Sequence, residues 1–158
     1  MMEIKQVLNS DEKREICRGV LQELPEWFGI PEALDNYVEQ SAELPLWKAE
    51  IDGEIAGFIC VRASSSSTTE LYVMGVLRKY HRQGIGKILF DTCIDWCKEN
   101  GYEFLQVKTL APSHPDKGYS ETRKFYQAMG FKELECIPEI WGEENPCMIM
   151  VMSIPSKM

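Results

Sequence analysis

An apolar strand that runs into a glycine turn and then an amphipathic helix constrains the fold of this chain more than any other feature. Residues 70–76, Glu-Leu-Tyr-Val-Met-Gly-Val, are apolar almost throughout, which suits a central strand. A glycine inside such a strand, here Gly75, marks a bulge or a close approach by another backbone or a ligand. Gly84 then opens the clearest helix in the chain. Ile85, Ile88, Leu89, Thr92 and Trp96 lie on one stripe of it, and Asn100-Gly101 ends it as glycine past a helix should.

The remaining elements follow from the same two periodicities. Residues 3–7 predict a first strand, and Ser10 or Asp11 caps a helix carrying Ile16, Val20 and Leu21 on one face. Trp27-Phe28-Gly29-Ile30-Pro31 interrupts, and a second helix runs from Pro31 to about residue 39. Strands at 46–51 and 54–62 flank Asp52-Gly53, a strong hairpin signal. The low-complexity run Ser64–Thr68 predicts a mobile hairpin tip. A strand at 103–109, a helix near 120–129 closed by Gly130, and strands near 131–137 and 146–153 complete the chain. The order β-α-α-β-β-β-α-β-α-β-β predicts a mixed α/β fold. No repeat or linker divides it, so residues 1–158 are expected to form a single domain.

Composition removes several classes of function. No apolar run approaches the roughly 18 to 20 residues of a spanning helix, and Met1-Met2-Glu3-Ile4-Lys5 lacks a signal-peptide layout. A cytoplasmic protein without a membrane partner is expected. The net charge is −8, and residues 1–60 carry the whole deficit, with 13 acids against 5 bases. Such a surface disfavours nucleic acid and favours cationic partners. The six cysteines, at 17, 60, 93, 97, 136 and 147, form no CxxC pair, and the only histidines are His81 and His114. Small buried thiols are expected, and no metal site.

The turn itself carries chemistry. His81-Arg82-Gln83-Gly84-Ile85-Gly86-Lys87 joins strand to helix, where unpaired backbone N–H groups converge and the helix dipole adds positive charge. Arg78, Lys79, Arg82 and Lys87 surround it, with no acid in 77–90. A phosphate-bearing ligand fits there. A bare G-x-G arises by accident roughly once in a chain with this glycine content, so context must discriminate. A dinucleotide fingerprint would need glycine where Leu89 stands. A Walker loop would need glycine at His81 and Ser or Thr at Ile88. Both fail.

Val76-x5-Arg82-x-Gly84-Ile85-Gly86-Lys87 resembles the acetyl-coenzyme A motif of the GNAT N-acetyltransferase family, usually written Gln/Arg-x-x-Gly-x-Gly/Ala, with His81 at its first position. Thr122-x-x-Phe125-Tyr126-x-x-x-Gly130-Phe131 resembles a later motif of the same family, and the likeness spans about residues 46–137. It implies a mostly antiparallel central sheet flanked by helices, the acyl-CoA N-acyltransferase type. It also implies acetyl-CoA as co-substrate and direct acetyl transfer to an amine of a small molecule or peptide. The alternatives are a coenzyme A-binding regulatory module without turnover and an acetyltransferase of protein N-termini or lysines.

The same resemblance assigns residues. Backbone groups around Met74, Gly75 and Val76 would grip pantetheine and polarise the carbonyl, and His81, Arg82, Gln83, Gly84, Ile85, Gly86 and Lys87 would hold the pyrophosphate. Tyr119, Thr122 and Phe125 would line the cofactor, Tyr126 would protonate the departing sulfur, and Glu70 would be the base. Tyr119 stands where the family often has asparagine. Residues 70, 72, 74 and 76 share one strand face. For the acceptor, the implied walls are the early helices, with Trp27, Phe28 and Tyr37, and the last hairpin, with Glu139, Trp141, Glu143 and Glu144. Aromatics with carboxylates suit a cationic amine. Relatives are often dimers, but no feature here specifies a homodimer interface.

Overall fold

A computed structural model describes residues 1–113, 117–142 and 144–156. His114 and Glu143 lie outside the described residues. The elements are β1 (Met2–Val7), α1 (Ser10–Gln22), α2 (Pro25–Phe28), α3 (Pro31–Ser41), β2 (Leu46–Ile51), β3 (Glu54–Ala63) and β4 (Thr68–Val76), then α4 (Ile85–Glu99), β5 (Phe104–Leu110), α5 (Lys117–Met129), β6 (Lys132–Ile137) and β7 (Cys147–Ser153). Short 3-10 turns occupy Arg78–Tyr80 and Pro138–Ile140. The strands form one mixed sheet in the order β1-β2-β3-β4-β5-β7-β6. β1–β2, β2–β3, β5–β7 and β6–β7 pair antiparallel, whereas β4 and β5 pair in parallel, with Thr68 opposite Phe104 and Glu70 opposite Gln106. A parallel pair needs a long crossover, and α4 supplies it. Among the described residues no helix is long and apolar enough to cross a membrane.

The chain divides into two compact units, Met1–Arg62 with Tyr72–Trp96, and Ala63–Leu71 with Cys97–Met158. The first has a core in which Ile16, Cys17, Val20, Leu21 and Leu24 of the α1 region pack with Leu34, Val38, Leu46, Phe58 and Val73. The second contains α5 and the β5, β7 and β6 strands. Both α4 and α5 end on glycines at positive φ, Gly101 (78°) and Gly130 (110°). In each, the glycine N–H donates three residues back and the next N–H donates five residues back, from Tyr102 to Cys97 and from Phe131 to Tyr126.

Five local expectations change. The cap of α1 is Asn9, whose side chain accepts from Glu12 N at 2.9 Å, one position before the serine that begins the helix. Residues 25–28 form the helical turn α2, because Pro25 at its start costs no hydrogen bond. The buried face of α4 is Ile85, Leu89, Phe90, Cys93 and Cys97, while Ile88 is 37% exposed. That face is turned by about one residue's arc from the expected stripe. Apolar residues ring more than half of this helix, so its periodicity alone admits both faces. The Ser64–Thr68 connection is tied down: Ser64 N and Ser65 N donate to Thr68 O, Glu103 N and Phe104 N donate to Ser67 O, and Gln106 donates to the Ser64 hydroxyl. Cys136 is exposed, and the other five thiols are buried.

Candidate functional site

In the first unit the end of β4 and the start of α4 are joined by a loop whose every turn has a local cause. Leu77 N donates to Ala56 O at 2.8 Å, which ends the strand against β3. Tyr80 N then donates to Leu77 O and His81 N to Arg78 O, closing the 3-10 turn. Arg82 (φ 64°) and Gly84 (φ 79°) both take the left-handed region, which costs nothing for glycine but about 1 kcal/mol for a residue with a Cβ. Ile88 N donates to Gly84 O, so the N–H groups of Ile85, Gly86 and Lys87 belong to a first helical turn without i−4 acceptors. The loop thus presents main-chain donors at the positive end of a 15-residue helix.

Side chains hold that loop from three directions. His81 Nε2 lies 2.7 Å from Val76 O, and Gln83 Nε2 donates to Lys79 O at 3.2 Å. Tyr80 OH and Lys79 Nζ both donate to Glu54 of β3, at 3.0 and 3.2 Å, and hold its carboxyl below the usual range. Arg78 pairs with Glu26 of α2, depressing that carboxyl too, and its guanidinium lies 5.7 Å from the Trp27 ring centre. The Trp27 and His81 rings meet edge-on at 6.4 Å. The island of cations seen in the sequence is therefore largely answered by acids from elsewhere: Glu26, Glu54 and, for Lys87, Asp91 at 2.8 Å. Among the described residues Arg82 makes no ion pair, and it is the one whose backbone is strained toward the turn.

Gly75 and Gly57 explain how β3 and β4 come close just before this loop. A Cβ on Gly57 would stand 2.6 Å from Gly75 O, and one on Gly75 would stand 3.0 Å from side-chain carbons of Val20 and Leu24. The close approach expected at Gly75 is made by α1-side carbons and by the backbone facing Gly57. Met74 and Val76 remain half-buried on either side of it.

In the second unit, Tyr119, Thr122 and Tyr126 follow one another at i, i+3 and i+7 on α5 and so share a face. Tyr119, Thr122 and Phe125 are half-buried, and Tyr126 is 7% exposed. The Tyr126 ring packs edge-on against Phe125 at 5.8 Å and Phe131 at 5.5 Å. The spacing of Tyr126, Gly130 and Phe131 is thus also a helix-end motif, with the apolar contact that commonly accompanies it. Glu70 is 5% exposed, and its carboxylate lies 3.5 Å from Lys108 Nζ on β5. The nearby Cys147 thiol is pushed up to about 11, mainly by burial.

The aromatics of the early helices form a ladder in the first unit. Phe28 meets Tyr37 at 5.7 Å, Tyr37 meets Tyr72 at 5.3 Å, and the Arg62 guanidinium sits 4.4 Å over Tyr72. The cation on this wall is the protein's own. Glu139, Trp141 and Glu144 are exposed. Among the described residues no group of three or more His, Cys, Asp or Glu is placed to hold a metal ion.

Each unit therefore assembles part of the assigned set: Met74–Val76 with residues 81–87 in one, and Glu70 with the α5 residues in the other. Sequence reasoning missed Lys108, Glu26, Glu54 and Arg62. For Lys108 a signal existed, since a lysine inside a strand with apolar neighbours calls for an acidic partner. For Glu26 and Glu54 none did, because they lie some 25 to 50 residues from the cations they meet.

The model of the acetyltransferase (GNAT) family matches residues 10–131. Over 108 residues, 66% of this chain, the sequence is 28% identical to the "Probable N-acetyltransferase camello" of Xenopus laevis and covers 47% of that protein. The chain thus spans about half the length of the curated relatives it matches. Its fold is similar to that of an aminoglycoside 6'-acetyltransferase type Ii (TM-score 0.77, 20% identity, 99% of each chain covered). It is similar also to a GNAT family acetyltransferase from Elizabethkingia anophelis with acetyl-CoA bound (TM-score 0.69, 20% identity, 96% of this chain and 97% of that one).

Proposed function

We propose that this chain, which belongs to the acetyltransferase (GNAT) family, transfers an acetyl group from acetyl-CoA to a primary amine of a small molecule or peptide. The observation that carries the reading is the clamped loop. Arg82 and Gly84 take positive φ just before the first turn of α4, whose N–H groups at Ile85, Gly86 and Lys87 would be open to a diphosphate. Arg82 adds a cation without an ion-pair partner among the described residues.

In the reaction the amine nitrogen bonds to the carbonyl carbon, the carbon–sulfur bond breaks, the nitrogen loses a proton and the sulfur gains one. Main-chain groups at Met74, Gly75 and Val76 would orient the pantetheine arm and polarise the carbonyl. The Tyr126 hydroxyl would supply the proton to sulfur, and Glu70 would take the one from nitrogen. Residues 1–158 would act as a single N-acetyltransferase domain.

Two observations favour a second reading, a coenzyme-binding module without turnover. Tyr126 already has a structural task in closing α5, and Glu70 already has Lys108. Turnover separates the two. Coenzyme A should raise the melting temperature far more than NAD or ATP, and Gly86→Glu should abolish that shift with the fold retained. With acetyl-CoA and a pool of polyamines, aminoglycosides, amino acids and short peptides, free thiol should appear. Binding without thiol release from any pool would leave the module. A Gly86→Glu chain that binds coenzyme A as the native one does would overturn the placement.

A further inference from the structure

We infer that His81 is a positioning residue: by donating from Nε2 to the Val76 carbonyl it sets the loop that presents the main-chain donors, without itself touching the diphosphate. A carbonyl oxygen only accepts, so the 2.7 Å contact requires the proton on Nε2. The bond joins the last residue of β4 to the residue that immediately precedes the strained Arg82. Without it, nothing in the side chain of residue 81 opposes relaxation of that backbone toward ordinary φ. The Trp27 ring, itself under Arg78, meets the His81 ring edge-on at 6.4 Å. An imidazole held this way has its ε nitrogen committed to the protein.

A second consequence concerns the first position of the diphosphate motif. A glutamine there can donate a carboxamide N–H over a similar reach, whereas alanine cannot. The task of the position in this chain is then to donate back to the strand, and histidine and glutamine are interchangeable for it while charge is irrelevant.

The inference rests on the reading that residues 84–87 hold the diphosphate, and the test keeps the two apart. Hydrogen exchange in the unliganded chain reads the strap without any ligand. His81→Ala should speed exchange of the Tyr80, His81-position and Ile88 amides about five- to tenfold, the factor expected for one ordinary hydrogen bond, and His81→Gln should restore it. Calorimetric titration with coenzyme A should then show affinity about five- to tenfold weaker for His81→Ala, recovered by His81→Gln. Unchanged exchange in His81→Ala overturns the inference. So does a loss of affinity that glutamine fails to rescue, because the side chain then acts on the ligand and not through the strand. If exchange responds as stated while Gly86→Glu still binds coenzyme A, the strap stands and the diphosphate reading falls.

Discussion

At Tyr126 one side chain holds two assignments that a single atom separates. Its ring closes α5 by packing on Phe131, and its hydroxyl is the proposed proton donor. Tyr126→Phe keeps the ring and removes the oxygen. The affinity for coenzyme A should therefore change much less than kcat, which falls by about 10² or more, the usual worth of a general acid. Steady-state kinetics with the acceptor found in the screen reads this, and an undiminished kcat would leave Tyr126 a purely structural residue. The buried thiols make a different prediction. Burial pushes Cys17 from its ordinary 9.0 to about 11, and raises Cys60 as well. Between those values the unfolded chain has lost a proton that the native chain keeps, so stability falls as the pH rises above about 9. Each thiol contributes at most about 1.4 kcal/mol per pH unit. Urea midpoints in reductant at pH 8 and pH 10 measure the slope, and Cys17→Ala should reduce it by about one proton. An unaltered slope would mean that Cys17 ionises as freely in the fold as out of it.

Among the elements, the strands were legible and the contacts between them were not. Asp52 and Gly53 take positive φ at 50° and 84°, which is the hairpin conformation that an Asp-Gly pair favours, and β2 and β3 begin and end where that turn demands. The capping of α4 and α5 by Gly101 and Gly130 was equally readable, because a helix end is a matter of five consecutive residues. The buried face of α4 was not, since two stripes of that helix are apolar and only neighbouring elements choose between them. Gly57 gave no signal either. Its meaning is the absence of a Cβ where the Gly75 carbonyl passes, so Gly57→Ala should cost more than about 2 kcal/mol, as overpacking against backbone does. Gly19→Ala is the control: it lies within α1 with nothing inside 4 Å, and should stabilise by about 0.5 to 1 kcal/mol. Urea denaturation of the two variants should move in opposite directions, and a tolerated Gly57→Ala would mean that β3 and β4 can separate without loss.

At the scale of the whole molecule the charge pattern shows what distance hides. Residues 77–90 read as a cationic island, yet Glu26 and Glu54, from the acidic segment 1–60, fold back onto Arg78 and Lys79. What is left without an acidic partner among the described residues is narrower than the sequence suggests: Arg82 and the amides of the first turn of α4. The candidate Glu70 changes in the same way, from a carboxylate at the head of a strand to a buried one beside Lys108. The sequence by itself determined the order of elements, the hairpin and helix ends, and the glycine turn with its donors. Each of these depends on φ, ψ and hydrogen bonds among residues no more than about five apart. Only the tertiary structure decided which face of α4 is buried, which acids answer which bases, and that His81 reaches back to Val76. Burial and pairing of that kind belong to residues brought together by packing, and their separation along the chain carries no trace of it.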